Sequence, residues 1–191
     1  MNRVLIVAAA EKSAAMLSDL LCSGGTSRPE RIVICISASE ARRRILESDF
    51  DLVLINAPLP DELGHDLALD IARSTTSGVL LLVKNDLADS VSARVEEDGV
   101  FVVPKPLSRP LFYQALRLVN AARMRVFGLQ KENRKLLQKI EDIRLIDRAK
   151  CVLIATLGMT EPQAHAYIEK QAMNRRVTKR EISESILKTY T

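Results

Sequence analysis

Tryptophan is absent, and four Phe and three Tyr are the only aromatic residues in 191, so aliphatic side chains must build the core. No apolar run approaches the roughly 20 residues that a spanning helix needs. Val4–Ala10 and Val79–Val83 are the longest candidates, and both are strand-sized. A strand pattern begins within three residues of the start, which predicts no signal peptide, a cytoplasmic protein and no membrane partner. Cys22, Cys35 and Cys151 are far apart and lack ligand spacing, so the expectation is buried, reduced thiols. There is no Gly-rich phosphate loop, zinc spacing or hydrolase elbow. His65 and His165 stand alone and read as surface residues. The expectation is a non-enzyme with no catalytic residues, no metal and no cofactor.

What is present is an uneven charge. Residues 1–122 carry 13 Lys/Arg and 16 Asp/Glu, a net −3, whereas residues 123–191 carry 15 and 8, a net +7. That split suggests a neutral or acidic module joined to a basic one that meets a polyanion.

Residues 149–180 gather six Lys/Arg into two short helical patterns. Gly158 reads as the stop of one helix. Thr160 reads as the N-cap of the next, with Gln163 completing a capping box and Pro162 in the first turn. Ala164, Ile168 and Ala172 share one row, with Tyr167 and Gln171 on the adjacent one. Asn174 is expected to break this helix, and Thr178 to cap a third whose apolar side is Ile182, Ile186 and Leu187. Three short helices make a compact head with its cations outside.

The spacing of Ala149-Lys150, Leu157-Gly158-Met159-Thr160-Glu161, Ala164, Tyr167-Ile168, Lys170 and Ala172-Met173 resembles the ANTAR output domain. One departure is Cys151, where a glycine is usual. The resemblance implies RNA binding and transcription antitermination. The RNA-binding candidates are Lys150, Lys170, Arg175, Arg176, Lys179 and Arg180. Lys150 and Lys170 match basic positions of the pattern, and the others rest on charge clustering. Lys and Arg neutralise phosphates, and Arg can stack on splayed loop bases. Tyr167 could stack a base, but its row reads as core, and Met159 and Met173 read as packing residues.

Residues 3–107 alternate apolar runs (Val4–Val7, Ile32–Ile36, Leu52–Ile55, Val79–Val83, Val100–Val103) with helix patterns near 12–23, 39–48, 63–74 and 88–97. Strands separated by helices require crossovers, and continuous apolar runs suit strands covered on both faces. The fold class is α/β: a flavodoxin-like five-stranded parallel sheet, then a long coiled-coil helix and a small all-α three-helix domain. The expected divisions are 1–120, 121–147 and 148–191.

DLVLINAPLPDELG (Asp51–Gly64) and VVPKPL (Val102–Leu107) resemble the third- and fifth-strand ends of response-regulator receiver domains. Receivers place an acidic pair after the first strand, a phosphoacceptor Asp at the end of the third and a Thr or Ser at the end of the fourth. Here Ala8 and Ala9, Asn56 and Val83 stand at those positions, and only Lys105 with Pro106 remains. Alanines offer Mg²⁺ no carboxylate oxygen, an amide forms no acyl phosphate, and Val83 has no hydroxyl. Lys105 is then expected to bond Asn56 or loop carbonyls. Glu11, Asp61 and Glu62 read as turn and cap residues. This half is expected to be a pseudo-receiver that serves as a docking or dimerising platform.

Past Leu107, Ser108 can cap a helix with Pro110 in its first turn, and Gly128 inside it costs only about 1 kcal/mol. A heptad places Val119, Val126, Asn133 and Ile140 at a, with Ala122, Leu129, Leu136 and Ile143 at d. Asn at one a position favours a fixed register and a parallel dimer. The expected seam is therefore Val119, Val126, Leu129, Asn133, Leu136, Ile140 and Ile143. The sequence thus points to a homodimer presenting two basic heads to structured leader-RNA hairpins, with a signalling protein as a further partner. Two other readings stay open. One is a head that docks an acidic protein, and the other is duplex DNA binding, which the short, largely apolar helix 164–173 disfavours.

Overall fold

The computed structural model describes residues 2–23 and 28–190. They divide into two compact units, Met1–Gly128 and Leu129–Thr191.

In the first unit, β1 (Arg3–Ala8), β2 (Arg31–Cys35), β3 (Leu52–Asn56), β4 (Gly78–Lys84) and β5 (Val100–Lys105) form one sheet of order β2-β1-β3-β4-β5. Every pairing is parallel. The connections are α1 (Glu11–Ser23), α2 (Ala38–Glu47), α3 (His65–Ser74) and α4 (Ala88–Val95). The last pattern is shorter than expected, because a 3-10 turn follows at Glu96–Asp98 and Gly99 turns the chain at φ 77°. Alternate side chains of each strand enter different layers. Leu5, Val7, Val53, Ile55, Leu81 and Val83 meet α2, α3 and α4. Val4, Ile6, Leu52, Leu54, Leu80 and Leu82 meet α1 and the start of α5. Both faces of β1, β3 and β4 are buried, which is why these strands read as unbroken apolar runs, whereas Ile34 of the edge strand β2 is exposed.

Helix α5 (Arg109–Leu157) is continuous over 49 residues and passes through Gly128. The expected divisions at 120/121 and 147/148 both fall inside it. Phe112, Ala115, Leu116 and Val119, at helical spacing, are buried against the sheet. Val119 is thus a correction to the expected seam. It is 1% exposed and packs on Gly78, where an added Cβ would meet its Cγ1 at 2.3 Å.

The second unit closes on Ala149 and Leu153 of α5, Ala164, Ile168 and Ala172 of α6 (Glu161–Arg175), and Ile182 and Ile186 of α7 (Lys179–Tyr190). Gly158, at φ 63°, ends α5, its N–H donating to the Ile154 carbonyl at 3.1 Å. The Thr160 N–H donates to Gln163 Oε1 at 2.9 Å. Asn174 does not break α6. The helix ends at Arg176, in the left-handed region at φ 55°, where the N–H groups of Arg176 and Val177 donate to the Met173 and Ala172 carbonyls. Those two bonds satisfy the last carbonyls of the helix, which outweighs the modest helix aversion of asparagine. Thr178 and Glu181 cap α7 reciprocally, each backbone N–H donating to the other's side chain at 2.9 and 3.2 Å.

Two of the three thiols depart from the expected burial. Cys35 is buried and its pKa is raised to about 11 by that burial, with Glu40 adding to the effect. Cys22 and Cys151 are exposed. Cys151 points outward from its helix, so a side chain costs nothing where a glycine is usual. Among the described residues no helix is long and apolar enough to cross a membrane.

Candidate functional sites

At the carboxyl end of the sheet, the register sets Ala8 beside Asn56 and Lys84 beside Lys105. Ala8 and Val83 are buried, Ala9 is exposed, and Asn56 and Lys105 are partly covered. The Lys105 ammonium donates to the Ala57 carbonyl. Burial and the neighbouring Lys84 charge hold its pKa below the usual lysine value.

The carboxylates nearest in sequence are engaged elsewhere. Asp61 accepts from the Ser39 and Ala38 N–H groups, both at 2.9 Å, and so caps α2. These backbone bonds, Ser39's first, lower its pKa to about 2. Glu62 accepts from the Leu67 N–H at 2.9 Å and from Arg42 at 2.7 Å. Glu11 stands exposed in the first turn of α1. A magnesium ion, which a receiver fold implies, needs several oxygen ligands, and Ala8, Ala9 and Asn56 supply no carboxylate. The residues do not fit the ion. Among the described residues, no group of three or more His, Cys, Asp or Glu could hold a metal.

In the head, the six cations fall into two sets. Lys150 is 16% exposed along its side chain and bridges Asp147 and Glu161, both at 2.8 Å, which hold its pKa above the usual lysine value. It ties α5 to the first turn of α6. Lys179 pairs with Glu169. Arg180 reaches Asp142 at 2.6 Å and Glu184 at 3.0 Å, tying α7 to α5. By contrast Lys170, Arg175 and Arg176 are exposed, and among the described residues none of them has an ion-pair partner.

Arg175 lines a cleft of about 140 Å³ between α6 and α7, with Tyr167, Gln171 and Tyr190. Tyr167 and Tyr190 are each more than a third exposed, so Tyr167 is not core. Its row lies at the edge of the Ala164, Ile168, Ala172 stripe, where the phenol clears the bundle. Sequence reasoning misses Tyr190, because only the antiparallel return of α7 brings it beside Tyr167. Met159 packs on the head's core, whereas Met173 is 80% exposed. His165 is exposed at 3.3 Å from Glu169, and His65 is partly buried at 3.6 Å from Asp66.

The bare part of α5 carries an apolar stripe among charged residues. Val126, Leu129, Leu136, Ile140 and Ile143 are 47–60% exposed, and Asn133 is exposed among them.

Comparison with known proteins adds three findings. The family model of the ANTAR domain matches residues 134–187. The transcriptional regulatory protein PdtaR of Mycobacterium tuberculosis is 30% identical over 139 residues, which is 73% of this chain and 68% of that protein. Solved receiver domains share the sheet fold. The signal receiver domain of an HD domain-containing protein from Pseudomonas fluorescens gives a TM-score of 0.57 at 21% identity, covering 66% of this chain and 92% of that one. The non-phosphorylated HemR receiver domain from Leptospira biflexa gives 0.52 at 28%, covering 63% and 94%.

Proposed function

The chain belongs to the ANTAR response regulators, and on that premise we propose that it is a cytoplasmic, non-enzymatic RNA-binding antitermination regulator. It acts as a dimer on leader-RNA hairpins. The observation that carries the reading is the α6–α7 cleft, where the guanidinium of Arg175, without an ion-pair partner among the described residues, shares the lining with two exposed tyrosines. Arg and Tyr both stack on bases splayed from a loop, and Lys170 and Arg176 supply further charge for phosphates. Lys150, Lys179 and Arg180 hold the head together and reinforce its positive field. An acidic partner protein would use the same charge but would not need stacking rings.

The seam Val126, Leu129, Asn133, Leu136, Ile140 and Ile143 pairs two chains in parallel, with Asn133 setting register. Two linked heads gain affinity through effective concentration alone. The receiver domain takes no phosphoryl group, since Asn56 lacks the nucleophilic carboxylate oxygen. Incubation with acetyl phosphate and Mg²⁺ should leave its intact mass unchanged, and a gain that disappears on substituting a residue of this pocket overturns that part.

The test of RNA binding is a salt titration of the full chain on a labelled two-hairpin leader RNA. Lys170→Ala/Arg175→Ala/Arg176→Ala should flatten the salt slope by about 0.7–0.9 for each phosphate no longer neutralised. Tyr167→Ala should weaken binding by about 1–3 kcal/mol. Binding that is salt-insensitive, or equal in the triple variant, sinks the reading.

A further inference from the structure

A cavity of about 380 Å³ opens at the carboxyl end of the sheet, between the β3–α3 connection and α4. The RNA reading makes no use of it. Its apolar wall is Pro58, Leu63, Val83, Leu87 and Val91. Val83 stands where receivers carry a hydroxyl for the phosphoryl group, so the substitution extends the apolar wall toward the degenerate pocket. Leu63 and Leu87, both in this lining, remain 65% and 46% exposed.

The charged part of the lining has one sign. Lys84 and Arg94 are its cations, beside His65 and Ser90, and among the described residues no carboxylate lines it. Among the described residues neither Lys84 nor Arg94 has an ion-pair partner. Lys84 also pairs in register with Lys105, whose ammonium is already bonded to the Ala57 carbonyl. Two ammonium groups on adjacent strands repel, and an anion between or beside them relieves that repulsion. The volume lies near the lower end of the range of about 300–1,000 Å³ for small-molecule sites, which suits one ring or one short branched chain.

We propose that this cavity binds a small amphipathic carboxylate, with its apolar body against Pro58, Leu63, Leu87 and Val91 and its charged end against Lys84 and Arg94. Inorganic phosphate fits less well, because it would leave the apolar wall uncovered. A neutral apolar molecule would leave the cations unmatched. The site is independent of the RNA reading, since it lies wholly in the first unit.

The test is calorimetric titration of the full chain at low salt with phenylacetate, benzoate and isovalerate, with their neutral amides and with inorganic phosphate. At least one carboxylate should bind one per chain, its amide about tenfold more weakly or worse, and phosphate should not displace it. Lys84→Gln/Arg94→Gln, at exposed positions that leave the fold intact, should weaken the carboxylate about tenfold or more. Val91→Phe, which fills the cavity, should abolish binding while a carboxylate-free melt still shows a folded chain. No binding by any of the three carboxylates, equal binding of the amides, displacement by phosphate, or unchanged affinity in either variant overturns the proposal.

Discussion

Two stretches of α5 belong to one helix and have two kinds of surface. From Phe112 to Val119 its apolar face is buried on the sheet, whereas from Val126 to Ile143 an equally apolar face stands 47–60% exposed. Hydrogen bonding along the backbone is the same in both. What differs is whether the chain supplies a covering layer. A buried Leu or Phe contributes about 1.5–3 kcal/mol by leaving water, so the first stretch stabilises its own domain. The second gains that energy only by meeting another surface, and isolated helices are marginal in water.

Substitution on each side should separate them. Phe112→Ala should cost about 3–5 kcal/mol in the urea denaturation of the receiver domain. Leu136→Asp/Ile140→Asp should leave that transition in place and instead abolish self-association in sedimentation equilibrium. A dimer that survives the double change would show that the exposed face is not the seam. A subtler probe is the close approach of helix to sheet. Gly78→Ala drives a methyl into Val119 and should cost about 1–3 kcal/mol. Combining it with Val119→Ala should recover part of the loss, a non-additivity that a double-mutant cycle reads directly.

The smallest effect concerns the clamp at the end of the embedded stretch. Asp51 pairs with Arg123 and accepts from the Asn2 and Arg3 N–H groups. Burial pushes the Asp51 pKa up, but the two backbone donors and the Arg123 charge outweigh it, leaving it below the usual value. A folded-state pKa below the unfolded one gives stability that is present above the unfolded value and lost as pH falls through the folded one. Asp51→Asn should therefore cost about 1–2 kcal/mol at pH 7. Its deficit against wild type should narrow in acid-titrated melts as pH falls below the ordinary carboxylate range.

The sheet is legible in the sequence because strands covered on both faces must be apolar at every position, and Val4–Val7 and Val79–Val83 leave no other reading. Asn56, Val83 and the alanines are legible because motif positions are fixed along the chain. Val119 joins the expected seam for a geometric reason. A heptad of 3.5 residues and a helix face of 3.6 share their first positions, so sequence spacing cannot say where a helix leaves its sheet. The end of α6 differs from expectation because two carbonyl-satisfying bonds beyond Arg175 outweigh the propensity of Asn174. The pairing of Lys150, Lys179 and Arg180 with carboxylates, and the sharing of one cleft by Tyr167 and Tyr190, depend on how three helices pack. No local pattern carries that.

Arg176 places a cation at the turn between α6 and α7 in a backbone conformation that glycine adopts freely and a residue with a Cβ resists at a cost of about 1 kcal/mol. Glycine there would relax the turn and discard the charge in one step. Arg176→Gly should therefore melt at the same temperature or higher while holding RNA more weakly, a stability–activity trade-off confined to one residue. In such a head, the variant selected for endurance and the variant selected for grip would part company at position 176.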